Sequence, residues 1–293
     1  MLVVEPRVVK LSTRTEIDVR RSLPHARLRR IGAWVFLDHF GPTTQVDGMK
    51  VAAHPHTGLQ TVTWPFSGVV DHRDSIGSKQ LLEPGQLNLM TAGRGIAHSE
   101  VSIAGSEKLH AAQLWLALPS AVREIEPFFE HHGELPKYSF DGAAITLFIG
   151  ELNGHRSPAK VFSPLVGAQL DFADAAELQF PVNPSWEHGV LVVDGAVSIE
   201  GTELKMNDLA YLPVGASTLQ ITAEPGSRVL LIGGEPLNEQ VFIWWNFIGR
   251  SHEEIVQMRE AWNNRSAQFG EVVDDLGGWI PAPDLPNVRL KAR

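Results

Sequence analysis

Residues Gln60–Met90 read QTVTWPFSGVVDHRDSIGSKQLLEPGQLNLM. Short runs rich in Val, Trp and Leu are broken every few residues by turn formers at Ser67-Gly68, Ser75–Ser78 and Pro84-Gly85. Gln60–Trp64 (QTVTW) and Val69–Arg73 (VVDHR) are rich in β-branched residues and too short between turns for helices. The stretch therefore predicts several short strands joined by tight turns. Pro65 removes a ladder donor and predicts an edge or a bulge where it falls. With 26 Gly and 19 Pro in 293 residues, the same grammar runs along the chain and predicts an all-β sandwich or barrel.

The second half repeats the pattern. Val190–Val193 (VLVV), a turn at Asp194-Gly195 and the run Asn207–Ile221 (NDLAYLPVGASTLQI) match the grammar of EPGQLNLMTAGRGIAHSEV, although weakly residue by residue. A duplicated β domain follows. The polar segment EHHGELPK (Glu130–Lys137) carries both Gly and Pro and marks the seam, giving domains 1–133 and 134–293. One helix is expected near the end. Ser251 and Glu254 form a capping box, and Ile255, Met258 and Trp262 follow at helical spacing. Its expected role is packing over a sheet or domain seam. The last stretch, GGWIPAPDLPNVRLKAR, is too rich in proline for regular structure and reads as a surface tail.

Composition narrows the function. Hydrophobic residues make up 43% and charged residues 20%, and mean hydropathy is -0.06, which excludes a disordered chain and a helical membrane protein. Twenty-five Lys and Arg against 34 Asp and Glu give a net charge of -9. That balance argues against a broad grip on nucleic-acid phosphates or anionic lipid. With no cysteine, disulfides, thiolate catalysis and iron-sulfur ligation are excluded, so any metal must be held by His, Asp or Glu. The charged N-terminal stretch does not read as a secretory signal, and a cytoplasmic protein is expected.

Two short motifs carry chemistry. His54-Pro55-His56 places two imidazoles at i and i+2, and His98-Ser99-Glu100 places an imidazole and a carboxylate at the same spacing. In a strand both members of such a pair face one side. If both strands turn that side into one barrel, three His and one Glu converge. That donor set suits Fe(II), and also Mn, Co, Ni, Cu or Zn. The remaining histidines are assigned elsewhere: His72 to a solvated strand face, His131 and His132 to the linker, and His110 to an isolated position. When the turn glycines Gly68 and Gly195 are aligned, Pro181 and Asn183 stand opposite His54 and His56. Aligning Gly95 with Gly215 puts Thr218 opposite His98. One metal is therefore expected, in the N-terminal domain. Glu187-His188 reads as a satisfied polar pair, with a remnant or second, weaker site as the alternative.

These residues resemble the pirins, members of the cupin superfamily with two β-barrel domains. The carriers are FLDHFGP (Phe36–Pro42), HPHTG (His54–Gly58), DHRDS (Asp71–Ser75) and, above all, MTAGRGIAHSE (Met90–Glu100). The resemblance implies two tandem cupin domains with iron in the first, held by His54, His56, His98 and Glu100. It also implies oxygenolytic cleavage of a flavonol such as quercetin, with O2 as co-substrate and release of carbon monoxide. The chain departs from the usual HPHRGFET, reading HPHTGLQT, so Thr57, Leu59 and Gln60 replace Arg, Phe and Glu. Neutral Gln60 cannot be a general base, which leaves Glu100 as the carboxylate and gives Gln60 either the task of orienting substrate or oxygen or that of hydrogen-bonding a metal-binding histidine.

Two other readings stand beside the dioxygenase. One is a regulatory protein whose iron state selects a protein partner, with the Arg-rich segment Arg14–Arg30 as its surface. The other is a cupin oxygenase acting on a different small substrate. Direct nucleic-acid binding is not expected.

Overall fold

A computed structural model of the chain describes residues 1–10, 18–42, 49–103, 108–273 and 278–292. Apart from one α-helix and a 3-10 turn, the described elements are strands, as the turn-punctuated sequence predicts. Two repeats of seven strands carry the architecture. The first comprises β1 (Lys50–His56), β2 (Leu59–Ser67), β3 (Val70–Asp74), β4 (Lys79–Leu82), β5 (Leu87–Thr91), β6 (Ile96–Ser102) and β7 (His110–Ala117). The second comprises β8 (Ala176–Pro181), β9 (Glu187–Asp194), β10 (Val197–Ile199), β11 (Thr202–Leu204), β12 (Leu209–Leu212), β13 (Thr218–Ala223) and β14 (Ser227–Gly234).

Each repeat forms the same two sheets. In the first, strands lie in the orders β1-β6-β3-β4 and β5-β2-β7; in the second, the orders are β8-β13-β10-β11 and β12-β9-β14. The duplication that the turns suggest is thus a duplication of topology. Leu165–Phe172 and Ala143–Leu152 extend the second repeat's larger sheet beyond β14. Its core is an apolar cluster that includes Phe172, Phe180, Val190, Val192, Ile221 and Leu231. Alternating residues along each strand supply it, as period-two patterning requires.

Pro65 sits within β2 at a bulge, where the register against β7 shifts between His110 and Ala111. Pairing of β2 with β5 covers only Gln60–Thr63, so the missing proline N–H falls beyond that ladder. This is the position in which a strand tolerates proline.

Two compact units result, and they are discontinuous in sequence. One holds Met1–Val9, Arg20–His39 and His132–Leu237; the other holds Lys10–Val19, Phe40–His131 and Asn238–Arg293. The break at His131 lies beside the expected seam, but Asn238–Arg293 belongs with the first repeat rather than the second. His131 and His132 themselves end a strand, Phe128–His132, that neighbours β5. They are not linker residues, and His131 Nδ1 lies 2.8 Å from Asn88 Oδ1.

The helix α1 (His252–Asn263) starts at Ser251, whose hydroxyl accepts from the Glu254 N–H, an interaction worth about 1 kcal/mol. It buries Ile255 and Trp262 in a cluster with Ala97, Phe247, Phe269 and Ala282. The proline-rich terminus is not a loose surface tail. Trp279 bridges Ala53 in parallel and stacks on Trp262 at 5.3 Å. The Trp262 indole N–H donates to the Ile280 carbonyl. Proline denies this segment a ladder of its own, while Trp279, Ala282, Leu285 and Leu290 give it apolar surface to bury.

Candidate metal centre

Strand pairing brings the two motifs together. β1 runs antiparallel to β6 with His54 opposite His98 and His56 opposite Ile96. Alternation then turns His54 and His56 to the side that carries His98. The ring centroids lie 5.1 Å apart for His54 and His56, 4.3 Å for His54 and His98, and 5.0 Å for His56 and His98. Their ligand atoms all fall within 4.8 Å of one another, and all three residues are buried. A second group, His72, His98 and Glu100, meets the same limit. His98 belongs to both. Glu100 therefore sits with His98 and His72 rather than in one group with His54 and His56. The register between β1 and β6 shifts between His98 and Glu100, where Glu100 pairs with Val51.

Burial sets the protonation of this cluster. It holds His56 and His98 well below the ordinary imidazole range, and the neighbouring His54 adds to the effect. Neutral imidazoles offer bare nitrogens, the form in which they bind a metal. The same burial raises Glu100, opposed by His72 and by the Thr63 hydroxyl, which donates to Glu100 Oε1 at 3.0 Å. Outer hydrogen bonds fix the tautomers. His54 Nδ1 donates to the Ala52 carbonyl at 2.8 Å, which puts its one proton on Nδ1 rather than Nε2. His98 Nδ1 faces His72 Nδ1 at 3.4 Å, and His72 Nε2 donates to Asp74 Oδ2 at 3.3 Å. Asp74 is anchored in turn by the Ile76 and Ser78 N–H groups on its Oδ1. With the His72 Nε2–H directed at Asp74, His72 Nδ1 accepts from His98, and His98 Nε2 is left bare. That atom lies 3.0 Å from His56 Nε2. Two ring nitrogens facing each other in a dry site need a shared proton or a cation between them. Three imidazoles with a carboxylate beside one of them fit a divalent transition ion.

Comparison with known proteins gives the family. The pirin family model matches residues 16–116, and the model of the pirin C-terminal cupin domain matches residues 167–270. The chain belongs to the pirin family. It is 45% identical over 272 residues to a Pseudomonas aeruginosa protein provisionally named quercetin 2,3-dioxygenase, covering 92% of this chain and 86% of that one. A pirin-like protein of Caulobacter vibrioides is 35% identical over 277 residues, covering 91% and 94%. The crystal structure of a quercetin 2,3-dioxygenase from Acinetobacter baumannii matches with a TM-score of 0.95 at 41% identity, covering 99% of this chain and 97% of that one.

In this pirin, Gln60 bonds within the sheet of its own strand. Thr63 on β2 reaches Glu100, so alternation turns Gln60 to the opposite face of the strand, where its Nε2 donates to Thr91 Oγ1 at 2.9 Å. Thr57, which replaces the usual arginine, donates to Met258 Sδ at 3.1 Å and ties β1 to α1.

Sequence reasoning placed His72 in solvent, whereas it is buried, stacked on Phe129 at 4.5 Å and hydrogen-bonded as above. The signal was present in His72-Arg73-Asp74, a third i, i+2 pair. Its flanking charges are taken up locally, since Arg73 Nη2 pairs with Asp71 Oδ2 at 2.7 Å. His110 is also buried, against Phe66 at 4.8 Å. Trp115 packs edge-on against His56 at 5.1 Å and adds an apolar wall that no motif announced.

Of the Arg-rich segment, Arg14 lies outside the described residues. Arg21 makes a two-pronged pair with Asp38 at 2.7 and 2.6 Å, and Arg30 donates to the Leu237 carbonyl at 2.7 Å. These cations serve the fold. Among the described residues no helix is long and apolar enough to cross a membrane.

Proposed function

We propose that this pirin is an iron-dependent dioxygenase that opens the central ring of a flavonol such as quercetin, with release of carbon monoxide. The observation that carries the reading is the buried cluster of His54, His56 and His98, with Glu100 within reach of His98. These four residues would hold the ion, and the site is permissive enough that Mn, Co, Ni, Cu or Zn could also load. When bound, the ion supplies a positive charge that acidifies the flavonol 3-hydroxyl and a redox centre for chemistry with O2.

The protein's own groups divide the remaining work. Glu100, raised by burial and held by Thr63, has the basicity to take the 3-hydroxyl proton at Oε2, the oxygen that Thr63 does not occupy. His72 and Asp74 keep His98 in the tautomer that presents Nε2. Trp115 walls the His56 side with apolar surface, which excludes water and strengthens every charge interaction inside. The relatives named as quercetin dioxygenases, at 45% and 41% identity over nearly the whole chain, support the substrate class.

The test follows quercetin's visible absorbance under air with iron-loaded wild type and a His98→Ala variant, together with carbon monoxide in the headspace. Metal-dependent decay with stoichiometric carbon monoxide is expected. Equal decay in both proteins, when only wild type retains iron, would reject the flavonol reading. A panel of other small oxidisable substrates would then show where the specificity constant is highest.

A further inference from the structure

We propose that the second barrel holds a metal-independent binding site for a small aromatic monocarboxylate. Pro181 pairs with Thr218 where β8 meets β13, the same rung on which His54 meets His98 in the first repeat. The imidazoles are gone from this rung, but the space has not closed. A cavity of about 550 Å³ opens there, and its lining includes Pro181, Asn183, Val182, Trp186, His188 and Arg156. That volume suits a drug-sized organic molecule.

Three features define the occupant. His188, at 1% exposure, lines the cavity, and its buried Nδ1 has no hydrogen-bond partner among the described residues. Such atoms are costly and rare in native folds unless a ligand or water completes them. Burial draws His188 down to about 4, so near pH 7 the ring is neutral and suited to a ligand hydroxyl. Room for the ring is built in, because a Cβ at Gly233 would stand 2.8 Å from His188 Cδ2.

Arg156 supplies the charge. It is exposed at the rim, and among the described residues it makes no ion pair, which leaves a planar guanidinium for a carboxylate. Glu151, its cross-strand neighbour, also borders the cavity and disfavours a second negative charge. Between these two polar ends, Val182 and Trp186 offer the apolar surface that an aromatic ring needs.

A metal does not fit. Among the described residues no ligating group of three includes His188. The adjacent Glu187 carboxylate is already used, accepting from Tyr211 Oη and from the Gly32 N–H, both at 2.7 Å. This also corrects the expected Glu187-His188 pair: Glu187 is satisfied by other partners, and His188 Nδ1 has none among the described residues.

The test titrates full-length protein, stripped of metal by a chelator, with 4-hydroxybenzoate in a calorimeter. Saturable binding is expected. It should weaken at least about tenfold in Arg156→Gln and in His188→Leu, and to the same degree when 4-hydroxybenzyl alcohol replaces the acid. His98→Ala should leave it unchanged, which separates this site from the dioxygenase reading. Arg156 is exposed, so its replacement does not threaten the fold. Absence of binding at millimolar ligand overturns the proposal. So does binding that survives Arg156→Gln and is lost in His98→Ala, because that pattern puts the ligand in the first barrel.

Discussion

His54 facing His98 and Pro181 facing Thr218 occupy matching rungs of two ladders with the same strand order. In the first repeat the rung belongs to a buried cluster of imidazoles with a carboxylate at its edge. In the second it borders an open cavity lined by His188 and by Arg156, which makes no ion pair among the described residues. The strand order is common to both, and the side chains on these rungs differ. The two barrels share a strand order and differ in the groups these positions present, three imidazoles beside a carboxylate in one and a histidine with an arginine in the other.

The comparison breaks most sharply if metal retention does not follow the first rung. His98→Ala is expected to lower iron content after desalting by more than about a hundredfold in affinity, whereas Pro181→Ala and Thr218→Ala leave it unchanged. Metal analysis by plasma spectrometry checks this. Comparable losses from both rungs would mean that the second barrel also holds metal.

Acid stability offers the next largest effect. His188 falls to about 4 in the folded chain from an unfolded value near 6.5, so the unfolded chain binds more protons between these limits. Stability is therefore full above about pH 6.5 and declines as pH drops to about 4, by at most about 3 kcal/mol. His56 and His98 act in the same direction in metal-free protein. Denaturant titrations across that window should show a slope shallower by about one proton in His188→Asn. An unchanged slope would mean that His188 is solvated.

A smaller effect sharpens the first-barrel half. His72→Leu removes the acceptor for His98 Nδ1 and is expected to weaken iron about tenfold without removing a ligand. A His72→Leu variant that binds iron as tightly as wild type would show that His98 needs no orienting partner.

Gln60→Leu should do least. Iron content should be unchanged, and stability should fall by about 1 kcal/mol because Thr91 loses its donor. Loss of iron in this variant would return Gln60 to the metal site.

Much of this was legible in the chain. The turn residues between Gln60 and Met90 gave the strand succession, and Pro65 marked its bulge, because proline and glycine act locally on the backbone. The i, i+2 spacing of His54 with His56 put both imidazoles on one face, since a strand's period is two. His72 was misplaced although its spacing to Asp74 follows the same rule. The charges around it imitate a solvated face, and only the pairing of β3 with β6 shows that it lies against His98. The motif position of Gln60 did not reveal its hydrogen bond to Thr91, which depends on the pairing of β2 with β5. Trp279 was assigned to a tail because no local rule reports that a proline-rich segment will lie against Ala53.

By itself the sequence determined the all-β class, the duplication, the capped helix and the spacing that puts His54 with His56, and His98 with Glu100, on strands. These follow from local conformational preference and short-range periodicity, which a chain carries wherever it folds. Tertiary structure alone decided which groups share a cluster, which tautomer His98 presents, that residues 238–293 return to the first repeat, and that the second barrel keeps a cavity. Each of those depends on contacts between residues distant in sequence, and their geometry exists only once both sheets of a barrel have formed.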